Sequence, residues 1–299
     1  MTQVYYLPAF DSERPYGKSG ETLNGMKQRL ENLGVVAALN EYCGTNKIPR
    51  TFFVLGSMLE QAERQGIDSK ALRQIYNIED SLVEIANHSY SHPTIARLER
   101  RPDKTPITPD KLKEEIAQTK NIVSSILNRT TEGFRTPLGY AKGLQSADPR
   151  VLEILASEGI LYISSDLRDE NEGLMAPLRN KDGSLRQPYR YRNNLVEIPS
   201  HGWQDSSYLD TSRTVGTVDF PRTLDTRVAH IRDLFVEAKQ IAETTERDIY
   251  LSNCNHPWAI AGYDGTSIQT FKGIIEATNK LGIKCLTHKQ AYEQLKGKL

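Results

Sequence analysis

The stretch IANHSYSHPTI, residues 85–95, sets His88 and His92 four apart, with Pro93 directly after the second. The chain has six histidines in 299 residues, so a pair at this spacing straight after an apolar run is a candidate for shared work. If residues 88–92 form one helical turn, both rings lie on one face. Two neutral imidazoles so placed suit zinc or a similar divalent ion. A third ligand should be a carboxylate from another part of the chain, and AFDSE, residues 9–13, offers two. Asp11 and Glu13 are two apart, so in extended backbone they share a face. Two carboxylates beside one ion can divide the work. One holds the ion, and the other accepts a proton from the water that the ion activates.

Such side chains converge only if regular elements carry them to one place. QVYYLPAF (3–10), RTFFVLG (50–56), SLVEIAN (81–87), EGFRTP (132–137), ILYISSD (160–166), NLVEIPS (194–200), DIYLSNCNH (248–256) and IKCLTH (283–288) read as strands. Helical period fills 22–43, the stretch from 57 to about 76, 111–127, 149–158, 223–246 and 267–281, with Thr108-Pro109-Asp110 a start signal for the third. Strand then helix, repeated in this way, implies right-handed parallel crossovers. Asp11, His88, Arg135, Asp166 and His256 all fall at or just past the C-terminal ends of different strands. A closed barrel gathers such ends around one mouth, whereas an open sheet spreads them along an edge. The expected fold is therefore an irregular α/β barrel. Residues 167–194, polar and without helical period, read as a long loop at its rim. No repeat or linker divides residues 1–299, which read as a single domain.

Charged residues make up 25% and the hydrophobic set 38%, the balance of a soluble globular chain. Lys+Arg and Asp+Glu each total 38, so nothing favours nucleic acid, which selects a basic surface. No apolar run approaches the roughly 20 residues of a membrane span. The N-terminal MTQVYYLPAFDSERP lacks a basic region followed by an apolar stretch. The three cysteines, Cys43, Cys254 and Cys285, are odd in number and lack C-x-x-C spacing. They fit a reducing compartment, and a cytoplasmic location is expected.

These residues also carry a resemblance. HSYSHP resembles the second motif, H-[ST]-x-x-H-P, of the NodB-homology polysaccharide deacetylases (carbohydrate esterase family 4), matched in full from His88 to Pro93. FRTPLGY resembles the third motif, R-x-P, through Arg135, Thr136 and Pro137. LSNCNHPW, with His256, resembles the last, a histidine at a strand's end. The motifs occur in the family's order, and the similarity runs from about residue 4 to residue 296. The first motif departs from the common F-D-D, because the string here is Phe10-Asp11-Ser12-Glu13. It is closer to a D-x-[DE] subgroup that includes peptidoglycan deacetylase relatives and allantoinase-like amide hydrolases. EIPSHGWQD (197–205) resembles that subgroup's E-[IL]-P segment, followed by a Trp and an acidic residue.

The resemblance implies a distorted (β/α)7-8 barrel with its site at the C-terminal ends of the strands. It implies one divalent metal ion, zinc first, with cobalt, nickel, iron or manganese as alternatives. By the same carry-over Glu13, His88 and His92 hold the metal and Asp11 is the base. Arg135 pairs with Asp11, and His256 is the acid. His256 would need a carboxylate to raise its pKa. Asp166 and Asp169 are the candidates, the D-x-x-D spacing favouring Asp169. The backbone N–H at Leu138 would help hold the oxyanion, and Tyr140 and Trp203 are candidate walls. His230 and His288 read as structural, and His201 as structural or lining the site. The activity implied is removal of an N-acyl, usually acetyl, group from an amino sugar, glycan precursor or related small amide. An allantoinase-like hydrolysis of a cyclic amide is the alternative within enzymes. A different class stays open because of Ser12 and the missing fourth-motif Trp: an inactive member that binds carbohydrate or a protein partner. Expected partners are a small-molecule or glycan substrate and a second copy of the chain in a homo-oligomer, with no nucleic acid and no membrane span.

Overall fold

Val4–Leu7 (β1) and Ala9–Ser12 (β2) are one strand interrupted at Pro8. Proline has no N–H to give a ladder, and the interruption lets the two halves pair differently. β1 lies parallel to Ile249–Ser252 (β11) and to Lys284–Cys285 (β12). β2 moves on to Arg50–Val54 (β3), and the Pro8 carbonyl accepts the N–H of Thr51 at 3.0 Å. The computed structural model describes residues 2–14, 23–209 and 221–299.

After β2 come Leu23–Asn46 (α1), β3, Gly56–Arg64 (α2), Ser69–Ile75 (α3) and Val83–Asn87 (β4). Pro109–Leu127 (α4), Gly133–Tyr140 (β5), Pro149–Ser157 (α5) and Tyr162–Asp166 (β6) follow. The start signal at 108–110 holds: the Thr108 side chain accepts the N–H of Lys111, and Pro109 is the first helical residue. The segment expected as a bare loop carries Met175–Ala176 (β7) and Tyr189–Arg190 (β8). Next are Val196–Glu197 (β9), Gly202–Trp203 (β10), a 3-10 turn at Asp205–Leu209 and Leu224–Thr245 (α6). β11, Pro257–Tyr263 (α7), Gln269–Leu281 (α8), β12 and His288–Leu295 (α9) complete the chain.

The main sheet runs β2-β3-β4-β5-β6-β9-β8, parallel except for the antiparallel pair β8–β9. The result is a distorted α/β barrel whose ladder stays open among the described residues. At the gap between β9 and β11, the His201 N–H reaches the Ser252 carbonyl at 2.7 Å. Alternation sorts the strand residues among three apolar clusters, one of which joins Phe134 and Ile163 to Val151 and Leu155 of α5. Phe10, Phe52, Val54 and Ile85 face out against Leu33, Val36 and Leu39 of α1 and their neighbours. Leu7, Ala9, Phe53, Ala86, Tyr162, Val196 and Tyr250 face in and pack with Ala291 and Leu295 of α9. The apolar plug thus fills the end near the strands' N-termini. The other end of the interior is polar, with Asp11, Arg135, Ser164, Ser200 and Ser252 all buried. Among the described residues no helix is long and apolar enough to cross a membrane.

Candidate active site

Asp11 and Glu13 point to one side of their strand and Ser12 to the other. The Ser12 hydroxyl lies 2.5 Å from the Tyr76 hydroxyl. Ser12 therefore faces away from the site. Glu13 Oε2 lies 2.7 Å from His92 Nε2 and 3.3 Å from His88 Nε2. Its other oxygen accepts the Trp258 indole N–H at 3.1 Å. Burial alone would raise the Glu13 carboxyl, but His92 and His88 hold it well below the ordinary glutamate value. His88 Nδ1 lies 2.9 Å from the Arg135 carbonyl. A proton on Nδ1, donated to that carbonyl, leaves Nε2 with a lone pair aimed at Glu13, the arrangement of a metal-binding imidazole.

The two rings do not meet on a helical turn. Residues 88–92 form an irregular bend with Ser89 at φ 68° and His92 at φ 61°, both left-handed. Side chains compete with helical bonds for this backbone. Asn87 takes the N–H of Ser89 at 2.8 Å. Glu115 of α4 takes the N–H groups of Tyr90 and Ser91 at 2.9 and 2.7 Å and the Ser91 hydroxyl at 2.7 Å. Gly56 lets the bend sit close to α2: a Cβ there would lie 2.7 Å from Thr119 Oγ1 and 3.1 Å from the Tyr90 ring. The ring centroids end 5.3 Å apart.

Asp11 forms the second centre. Its Oδ1 accepts from Arg135 at 2.8 Å, and Oδ2 lies 3.9 Å from His256 Nε2. Burial would raise this carboxyl, but Arg135, with help from His88 and His256, lowers it, so Asp11 is charged at neutral pH. Arg135 is itself anchored by the hydroxyls of Ser164, Ser200 and Ser252.

His256 carries a correction. The carboxylate that meets it is Asp205, not Asp166 or Asp169. Asp205 Oδ1 lies 2.6 Å from His256 Nδ1, and Oδ2 accepts the His256 N–H at 2.7 Å. Asp166 is taken by Arg186 at 2.8 Å and by the N–H of Lys142 at 3.0 Å. Asp169 closes its own loop by accepting the N–H groups of Asn171 and Gly173. Burial would lower the His256 pKa, whereas Cys254 and Asp205 together raise it well above the imidazole range. The Cys254 thiol is itself pushed up to about 11 by burial and stays neutral at pH 7. The Asp205 carboxylate is therefore the nearest anion that favours the protonated ring, ahead of Glu13 and Asp11 at 3.8 and 3.9 Å.

Asp11, Glu13, His88, His92, Cys254 and His256 line a cleft of about 180 Å³, with Leu138, Gly139, Arg168 and Trp258 among its other walls. Leu138 and Gly139 have φ of 71° and 60° where β5 bulges. The left-handed form costs a non-glycine residue about 1–2 kcal/mol, so the bulge holds Leu138 at the cleft against its preference. Tyr140 and Trp203 are not among the lining residues. The Tyr140 hydroxyl accepts the N–H groups of Ile95 and Ala96, which buries it as a staple. Trp203 lines an adjoining hollow of about 560 Å³, which shares Leu138, Arg168 and Leu174 with the cleft. The aromatic wall is Trp258, its ring 5.3 Å from that of His256 and 4.0 Å from the Arg14 guanidinium. It stands two residues after His256, the only signal in the sequence that could have found it. His201, 1% exposed, bonds the Arg186 carbonyl, and His230 accepts the Trp203 N–H. His288 lies inside the barrel, bonded to Ser252 and Thr51.

Glu13, His88 and His92 fit a divalent ion: one carboxylate oxygen and two ring nitrogens, all buried or nearly so, lie within 4.8 Å of one another. Residues 34–163 match the family described as polysaccharide deacetylase. No curated protein sequence matches. Three solved structures are similar in fold. A Mycobacterium smegmatis protein provisionally described as a polysaccharide deacetylase is 18% identical, with a TM-score of 0.64 over 99% of this chain and 90% of its own. A probable polysaccharide deacetylase of Pseudomonas aeruginosa PAO1 is 14% identical, with a TM-score of 0.60 over 99% and 91%. The PuuE allantoinase is 14% identical, with a TM-score of 0.59 over 99% and 91%.

Proposed function

We propose that this chain, whose residues 34–163 match the polysaccharide deacetylase family, is a metal-dependent hydrolase that removes an N-acyl group, acetyl first, from an amino sugar, glycan precursor or small amide. One observation carries the reading. Glu13, His88 and His92 converge from two strand ends, beside an aspartate and a histidine that each have a buried charged partner. A divalent ion held by those three residues would polarise the acyl oxygen and lower the pKa of a water molecule. Asp11 accepts the proton of the attacking water at Oδ2, because Arg135 occupies Oδ1. His256, held by Asp205 at Nδ1, presents Nε2 to the cleft and gives its proton to the departing amine. The backbone at Leu138 is the candidate second donor to the oxyanion. Trp258 and Arg14 wall the side of the cleft next to Glu13.

The small cleft and the glutamate at position 13 keep cyclic amides in the screen beside acetylated sugars. The reading takes residues 1–299 as one domain, supported by the register that pairs Val4 with Ile249 and Tyr6 with Cys285. A cytoplasmic location rests on the three free cysteines.

The test is metal analysis at limiting zinc or cobalt, followed by release of acid from acetylated sugars, nucleotide sugars and cyclic amides. The wild type should hold about one ion per chain, and the double variant His88→Ala, His92→Ala should lose the ion held at Glu13. Asp11→Asn should keep the ion and lose turnover by roughly 10²-fold or more. A wild type that takes up no ion at this site would sink the reading in favour of an inactive binding protein. Loss of the ion in Asp11→Asn would reverse the roles of Asp11 and Glu13.

A further inference from the structure

Cys254 is the one cysteine whose neighbours are ligands rather than packing. Cys43 lies in the apolar cluster between the strands and α1, and Cys285 packs against that cluster. Cys254 Sγ instead lies 3.4 Å from Asp11 Oδ2 and 3.9 Å from His256 Nε2. These three atoms lie within 4.8 Å of one another, and all three residues are buried. We propose that Asp11, Cys254 and His256 form a second metal site, thiolate-containing, which a zinc-class ion fills after the Glu13–His88–His92 site and which then stops turnover.

Zinc binds all three donor types here: a carboxylate oxygen, an imidazole nitrogen and a thiolate sulfur. Its outer partners are already in place. Asp205 holds His256 Nδ1, which fixes the ring so that Nε2 faces the site, the carboxylate–histidine pattern common behind metal ligands. Arg135 holds the far oxygen of Asp11 and leaves Oδ2 facing Cys254. Glu13 stands between the two sets. One of its oxygens faces His88 and His92, and the other is 3.8 Å from His256 Nε2. A carboxylate in that position can bridge two ions, which in two-metal sites stand about 3.5–4 Å apart.

Filling this site needs the thiol proton and the Nε2 proton to leave to solvent, so the first site fills first. Inhibition follows because the ion occupies Asp11 Oδ2 and His256 Nε2, the atoms assigned above to the base and the acid. That half of the inference rests on the proposed function, and the binding half does not.

Cobalt titration of the metal-free full chain separates the two, since thiolate coordination gives cobalt(II) a near-ultraviolet charge-transfer band that nitrogen and oxygen ligands lack. The first equivalent should bind without that band and raise turnover. The second should bring the band and lower turnover at least tenfold. Cys254→Ala should lack both the band and the fall, whatever its rate at one equivalent. Cys254→Ser serves if the alanine variant does not fold. The double variant Cys43→Ala, Cys285→Ala should keep the band. A wild type with no band at the second equivalent, or a band that persists in Cys254→Ala, overturns the second site. A band with no fall in turnover overturns the inhibition. A chain that binds only the cobalt that Cys254 reports keeps the second site and sinks the first.

Discussion

At the scale of single residues, the site depends on which buried group meets which. His256 would be neutral in so dry a place, because burial disfavours the charged ring. Asp205 reverses that by facing its Nδ1 at 2.6 Å. The protonated ring is the acid the reaction needs, so activity should fall as pH rises through the raised His256 pKa. Asp205→Asn keeps the shape and removes the charge. The His256 pKa then drops, and the alkaline limb of the pH–rate profile moves to lower pH. The rate at neutral pH should fall by roughly 10²-fold or more, with metal content unchanged. An unmoved alkaline limb would show that Asp205 is only a spacer. The sequence places His256 and its need for a carboxylate, but not the partner. Asp166 and Asp169 are nearer strand-end acids by motif, yet Arg186 takes one and a local turn takes the other. Asp205 reaches His256 because the chain returns across the ring at His201 before entering the 3-10 turn that Asp205 begins. The acid closing EIPSHGWQD was visible, but only the tertiary path links it to residue 256.

At the scale of elements, the strand–helix rhythm was legible almost throughout, because alternation and helical period are local signals. The histidine pair was legible as a pair and misleading as a helix. Four-residue spacing suits one helical turn, yet Asn87 and Glu115 capture the N–H groups of residues 89–91. Glu115 lies on α4, behind the bend, and nothing in the local sequence announces it. Its two carboxyl oxygens take all three donors. Glu115→Ala removes both acceptor oxygens, and the left-handed backbone at Ser89 and His92 loses its brace. Metal affinity should fall by about 10–100-fold, the usual cost of losing a partner behind the ligands. Competition with a chromophoric chelator measures this directly, and circular dichroism checks that the fold is kept. Wild-type affinity in the variant would mean that the barrel wall alone sets the bend.

At the scale of the whole molecule, the barrel carries buried charge through its wall, and its stability should therefore depend on pH. Glu197 of β9 is the clearest case. It accepts the N–H of Ser165 at 2.6 Å, the Ser165 hydroxyl at 2.6 Å, the N–H of Asp166 at 2.9 Å and the Tyr191 hydroxyl at 2.8 Å. Those donors favour the charged form, but burial and the neighbouring Asp166 outweigh them and raise the carboxyl from 4.5 to about 7. Between these values the folded chain holds a proton that the unfolded chain has released, so stability falls as pH rises. The contribution is complete below pH 4.5, declines through the window and levels off above about 7. The loss is about 3 kcal/mol for a shift of this size. Glu197→Gln cannot ionise and should lack this slope. Urea unfolding of both proteins across pH 4.5–7.5 reads it as a difference, in which the groups common to both cancel. The wild type should lose stability relative to the variant as pH rises. A constant difference would mean that the four donors keep Glu197 charged throughout, and that the β6–β9 seam is held by a carboxylate rather than by a carboxylic acid.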